Sequence, residues 1–341
     1  MKKKVPSEPV LRTPEGIPGL PKKREPSYHG VAGTLLLVHT LLAFSMALLG
    51  VYWLPLQQLF ARSDFRATAL AVVIMQGLLI FLPAVITLWT GKIPPQDVIG
   101  RQAAPGSLFL ALAAGIPAAV VFQGINNLLV YLMISSGIKL PQPDTIALPV
   151  LTDLFSRPWP FILLVLLIAA VIPAVIEEFF FRGVLLASLQ SSGATRSAVI
   201  WQAVAFALFH ADAYFLLSPF LAGLLLARMR RHCGRLWPAI ITHLTMNISS
   251  IALTPLLPKL TGAILQDHSR QATSLLYASL IAASIAAVAL IPIIVLLGSR
   301  PVRAQATQTD PSRRLIFFPG DWKFALALDV QVVTLFLIIR L

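Results

Sequence analysis

The chain has 341 residues, 57% of them hydrophobic and only 12% charged, and its mean hydropathy is +0.80. That composition excludes an ordinary soluble domain, and continuous rather than alternating apolar segments argue against an all-β membrane protein. The net charge of +13 does not indicate a nucleic-acid partner, because the basic residues gather at the ends of apolar segments and not along one soluble face. The expected fold is an all-α, polytopic membrane bundle of about eight to nine transmembrane helices, each taking roughly 20 apolar residues.

Residues 1–30 combine Lys2, Lys3, Lys4, Arg12, Lys22, Lys23 and Arg24 with six prolines, the make-up of a disordered basic tail. No apolar run follows the first lysines, so a cleaved signal peptide is not expected. Residues 31–298 form the bundle, with spans expected at about 31–54, 68–89, 107–134, 159–181, 198–214, 215–227, 236–257 and 273–298. The fifth and sixth are short and nearly continuous, which predicts a tight helical hairpin broken near Ser218 and Pro219, or a partly re-entrant pair. Residues 299–323 read as a basic linker, and 324–341 as a transmembrane or interfacial helix containing Asp329. With nine crossings and a cytoplasmic N-terminus, most of the 27 Lys and Arg residues fall on the cytoplasmic side. The expected location is a bacterial plasma membrane. Cys233 has no second thiol with which to form a disulfide or a metal site.

Three polar sites interrupt the apolar runs. The first is Ile176 to Gly183, I-E-E-F-F-F-R-G, which holds the only glutamates after Glu25. Charge at membrane depth costs a few kcal/mol per group and needs a partner or a task. Glu178 and Arg182 stand four apart and share a helical face, so they can pair, whereas Glu177 is turned about 100° away from Glu178. The division predicts an ionised, paired Glu178 and a Glu177 in apolar surroundings, the candidate for general acid or base work. A purely structural ion cluster is the competing reading.

The second site is F-A-L-F-H-A-D, with Phe206 and His210 four apart and Asp212 close behind as an orienting partner or a solvated helix end. The third is H-L-T-M-N, in which His243 and Asn247 share one face about 6 Å apart along the axis. Such groups catalyse, or bond neighbouring helices together. His39 has no polar neighbour at helical spacing and reads as packing or interfacial; Asn126 and Asn127 read as helix-bonding residues ahead of lining the same cavity.

Glu177-Glu178 with Arg182, then Phe206 with His210, then His243 with Asn247, resemble the E-E-x-x-x-R, F-x-x-x-H and H-x-x-x-N pattern of one family. These are the CPBP proteins: type II CAAX prenyl endopeptidases and bacteriocin-processing, Abi-like proteins of the membrane. The resemblance covers about 159–257. It implies an intramembrane endopeptidase in which Glu177 activates water with His210 as its partner, and His243 and Asn247 stabilise the oxyanion. Glu178, Arg182 and Phe206 would support them. A metal-free mechanism is favoured; a zinc variant would take Glu177, His210 and His243 as ligands. The implied partners are membrane lipid and a peptide or protein substrate, possibly lipidated. A proton-coupled transporter and a non-catalytic immunity or scaffold protein are the alternatives from other classes.

Overall fold

The computed structural model describes residues 29–53, 65–100, 102–103, 105–138, 154–191, 195–210, 212, 214–253, 270–299 and 322–340. The tail over 1–28, most of the linker and the end of the seventh expected span at 254–257 lie outside the described residues. Within the described residues nearly every position is helical and no strand occurs. In chain order the helices are α1 His29–Tyr52, α2 Phe65–Thr90, α3 Pro95–Ile99, α4 Ser107–Ser135 and α5 Trp159–Gln190. They continue as α6 Thr195–Phe209, α7 Leu217–Cys233, α8 Leu236–Leu253, α9 Arg270–Ser299 and α10 Trp322–Arg340.

Six of these, α1, α2, α4, α5, α8 and α9, are long and apolar enough to cross a bilayer. The protein is therefore an all-α integral membrane bundle. Helices α6 and α7 are shorter, at 15 and 17 residues, and α7 ends on Arg230, Arg231 and His232, whose charges suit a helix C-terminus.

Two local expectations are corrected. The α6–α7 hairpin breaks before Leu217, not near Ser218 and Pro219, both of which lie inside α7. Pro219 sits in the first turn, where a backbone N–H has no intrahelical acceptor to lose, so proline is tolerated there. Helix α5 does not stop near Phe181 but runs on to Gln190, and the glutamates lie near the middle of 32 residues. Arg182 does not end the helix because its charge is met inside the protein by Glu178.

Helices α2 and α5 are not uniformly α-helical. A π-helical stretch interrupts α2 at Met75–Phe81, and two interrupt α5 at Leu167–Val171 and Phe179–Leu185. Such insertions rotate the following side chains and leave backbone carbonyls available to outside donors.

Helix α4 packs along α8 and α9. Its α8-facing surface uses small buried residues, Ala111, Ala114, Gly115 and Ala118, which let the backbones approach closely. A Cβ on Gly115 would lie 2.5 Å from Thr245 Cβ and 2.9 Å from the Thr242 carbonyl oxygen. Thr242 Oγ1 donates across this interface to the Ala111 carbonyl at 3.2 Å. That contact fixes the register of α8, and so the height of His243 and Asn247. On the other side, Arg230 Nη2 of α7 donates to the carbonyls of Asp97 and Val98 and ties the short α3 to α7. Burial pulls this guanidinium down to about 10, with Asp97 opposing the shift.

Candidate active site

Helix α5 is enclosed by α2, α6 and α8, and each contributes one side chain to the glutamate pair or its arginine. Glu177 and Glu178 are 6% and 0% exposed. As consecutive helical residues they face different neighbours. Glu178 turns to Arg182 and α8, and Glu177 turns to α2.

Arg182 Nη1 donates to Glu178 Oε1 at 2.5 Å in a fully buried ion pair. The spacing of four predicts this contact. The guanidinium carbon also stands 4.1 Å from the centroid of the Phe206 ring, with Phe181 at 5.9 Å. Among the described residues Arg182 Nε and Nη2 have no hydrogen-bond acceptor, so the aromatic faces provide their electrostatic partner. Phe206 is thereby given a physical role: it covers the cation that holds Glu178.

His243 reaches both acids. Its Nδ1 lies 2.9 Å from Glu178 Oε1 and its Nε2 3.9 Å from Glu177 Oε2. A carboxylate paired to arginine can only accept, which places a proton on Nδ1 and leaves Nε2 toward Glu177. Asn247, one turn further along α8, donates through Nδ2 to the Ala170 carbonyl at 3.4 Å. Ala170 lies in the first π-helical stretch of α5.

Glu177 is not in the wholly apolar setting expected for it. Gln76 Nε2, from the π-helical stretch of α2, donates to Glu177 Oε1 at 2.8 Å in a buried contact. Gln76 escaped the sequence reading because a single amide in an apolar run shares no spacing with the three motifs. Its one signal was polarity at membrane depth.

His210 is brought to the same aromatic cluster but not to the glutamates. It is exposed, its Nδ1 donates to the Phe206 carbonyl at 2.8 Å, and its ring stacks edge-on to Phe206 at 4.7 Å. Among the described residues it forms no ion pair with either acid. Asp212 is an exposed residue that accepts from the Tyr214 amide, the solvated of its two readings. Asn126 accepts from Ser218 of α7 at 2.6 Å and bonds two helices, whereas Asn127 accepts from Gln123 within α4. His39 is buried against Phe180 and Phe209 and donates to the Leu79 carbonyl at 2.7 Å. It is a packing residue.

All seven motif residues fall in one stretch of chain with a known counterpart. Residues 158–249 match the Type II CAAX prenyl endopeptidase Rce1-like family model. No curated protein and no solved structure matches the chain. The Rce1-like segment spans α5 through most of α8 and contains every element of the glutamate, arginine and histidine cluster except Gln76. The chain thus carries a segment similar to the CAAX-type membrane proteases within a helical membrane protein.

A zinc site of Glu177, His210 and His243 needs three side chains converging within about 2 Å of one point. His210 is turned to the Phe206 carbonyl, and among the described residues no three His, Cys, Asp or Glu side chains form a metal-holding group. The described residues therefore do not fit the zinc set.

Proposed function

We propose that the protein is an intramembrane endopeptidase in which Glu177 activates water for attack on a peptide bond. The observation that carries this reading is the burial of two carboxylates against one guanidinium, with His243 spanning both acids. With a neutral imidazole, the cluster has one negative charge more than positive.

Glu177 takes a proton from water as the water oxygen bonds to the peptide carbonyl carbon, and the carbonyl π pair moves onto oxygen. Asn247 has a second amide hydrogen beyond the one donated to Ala170, and this hydrogen is the donor for the oxyanion. The neutral His243 keeps its Nδ1–H on Glu178 and presents Nε2 toward Glu177. The C–N bond then breaks, and the proton on Glu177 passes to the departing amine. Glu178 and Arg182 hold His243 in orientation, and Phe206 shields the arginine. For His210 to accept the water's other hydrogen, its ring must turn from the Phe206 carbonyl toward Glu177.

Orientation follows from charge. The basic residues at the end of α7, together with the lysines of the N-terminal segment, favour a cytoplasmic N-terminus in a bacterial plasma membrane. The test is purified protein in proteoliposomes with a farnesylated peptide ending in a CAAX sequence. Cleavage by wild type and none by Glu177→Ala supports the reading. Proton flux under a gradient, with the peptide left intact, would move the function to transport.

A further inference from the structure

One member of the cluster comes from outside the Rce1-like segment. Gln76 is 8% exposed in the apolar middle of α2, and its Nε2 donates to Glu177 Oε1 at 2.8 Å. The amide orientation follows from chemistry, because an ionised carboxylate accepts and cannot donate. Gln76 lies within the π-helical stretch Met75–Phe81, and the carbonyl of Leu79 in that stretch is held by buried His39. His39 is itself wedged against Phe180 of α5 at 5.4 Å. The irregular backbone that presents Gln76 is thus clamped to the helix that carries Glu177.

Two features separate Gln76 from a residue that merely joins helices. Its Oε1 is buried and has no hydrogen-bond partner among the described residues, so only the donor end is spent within the protein. The donor end also selects one oxygen. With Oε1 of Glu177 occupied by Gln76, the oxygen facing His243 is Oε2.

We propose that Gln76 is a positioning residue: it fixes the rotamer of Glu177 and reserves Oε2 as the oxygen that takes the proton from water. This rests on the reading of Glu177 as the base. Preorganisation of this kind sets rate more than affinity, and misplacing a reacting group by about 1 Å costs on the order of 10²-fold.

The experiment uses the full chain in proteoliposomes with three variants, Gln76→Met, Gln76→His and Glu177→Gln. Methionine keeps the length of the side chain and removes the donor; histidine restores an N–H. Two readouts are taken. The first is labelling by dicyclohexylcarbodiimide, a carboxyl reagent soluble in membranes, mapped to Glu177 and Glu178 by mass spectrometry. The second is kcat and KM on the farnesylated CAAX peptide. In Gln76→Met, Glu177 labels several-fold faster and Glu178 does not change. Turnover falls about 10- to 100-fold with KM nearly unchanged, and Gln76→His recovers part of both. Glu177→Gln removes the labelled position. Wild-type labelling and kcat in a folded Gln76→Met, or lower thermal stability with unchanged kcat and labelling, would overturn the inference. If the peptide stays intact in wild type while labelling still responds to Gln76, the positioning role stands and the CAAX substrate fails.

Discussion

His243 is oriented by Glu178: Nδ1 sits 2.9 Å from Glu178 Oε1, and the same oxygen carries Arg182. One carboxylate oxygen therefore ties α8 to α5 and fixes which nitrogen of the imidazole faces Glu177. The linkage is entirely buried, so its loss cannot be made good by solvent.

Breaking the ion pair from one side leaves a charge stranded. Glu178→Gln and Arg182→Met are each expected to destabilise the folded protein by about 3–5 kcal/mol, while the double variant costs clearly less than their sum. Thermal unfolding in detergent across the four proteins checks this. Additive losses would show that the pair contributes no coupling.

Phe206→Leu removes the ring 4.1 Å from the Arg182 guanidinium. The contact alone is worth about 0.5–2 kcal/mol. In an Arg182→Met background the cost of Phe206→Leu should fall by that amount, leaving only the packing loss. An equal cost in both backgrounds would assign Phe206 to packing alone.

Gly115→Ala places a methyl against Thr245 and the Thr242 carbonyl, and neither backbone can yield without moving α8. A stability loss of about 1–3 kcal/mol is expected, together with reduced turnover, because His243 rides on the same helix. Ala111→Gly on the same face is the control for the helix itself: it weakens α4 without pushing α8.

Chelation probes the zinc alternative. Treatment with EDTA or a membrane-permeant chelator should leave peptide cleavage unchanged, and added zinc should not raise it. Loss on chelation with recovery on zinc would replace the glutamate mechanism with a metal-dependent one.

Much of this site was legible because helical spacing is a local rule. Glu178 and Arg182 four apart had to share a face, and they pair. His243 and Asn247 also share a face, and both turn to α5, one to Glu178 and the other to the Ala170 carbonyl. Spacing says nothing, however, about which neighbour a face meets. Phe206 and His210 do stand on one side of α6, yet Phe206 meets Arg182 while His210 bonds its own helix. Gln76 was invisible for the same reason, since its partner lies 101 positions away and only tertiary packing joins them. The extension of α5 past Arg182 was missed because a buried ion pair makes a charged residue compatible with a continuing helix, which no local propensity records. The break before Leu217 was misplaced because proline marks helix starts as readily as helix stops.

The decisive comparison sets the membrane-protein termini of the host carrying wild-type protein beside those of the host carrying Glu177→Ala, at equal protein levels. A glutamate-driven endopeptidase predicts a defined set of new N- and C-termini that are present with wild type and absent with the variant, which also names the substrate. The same termini in both strains would contradict it and remove Glu177 from the chemistry.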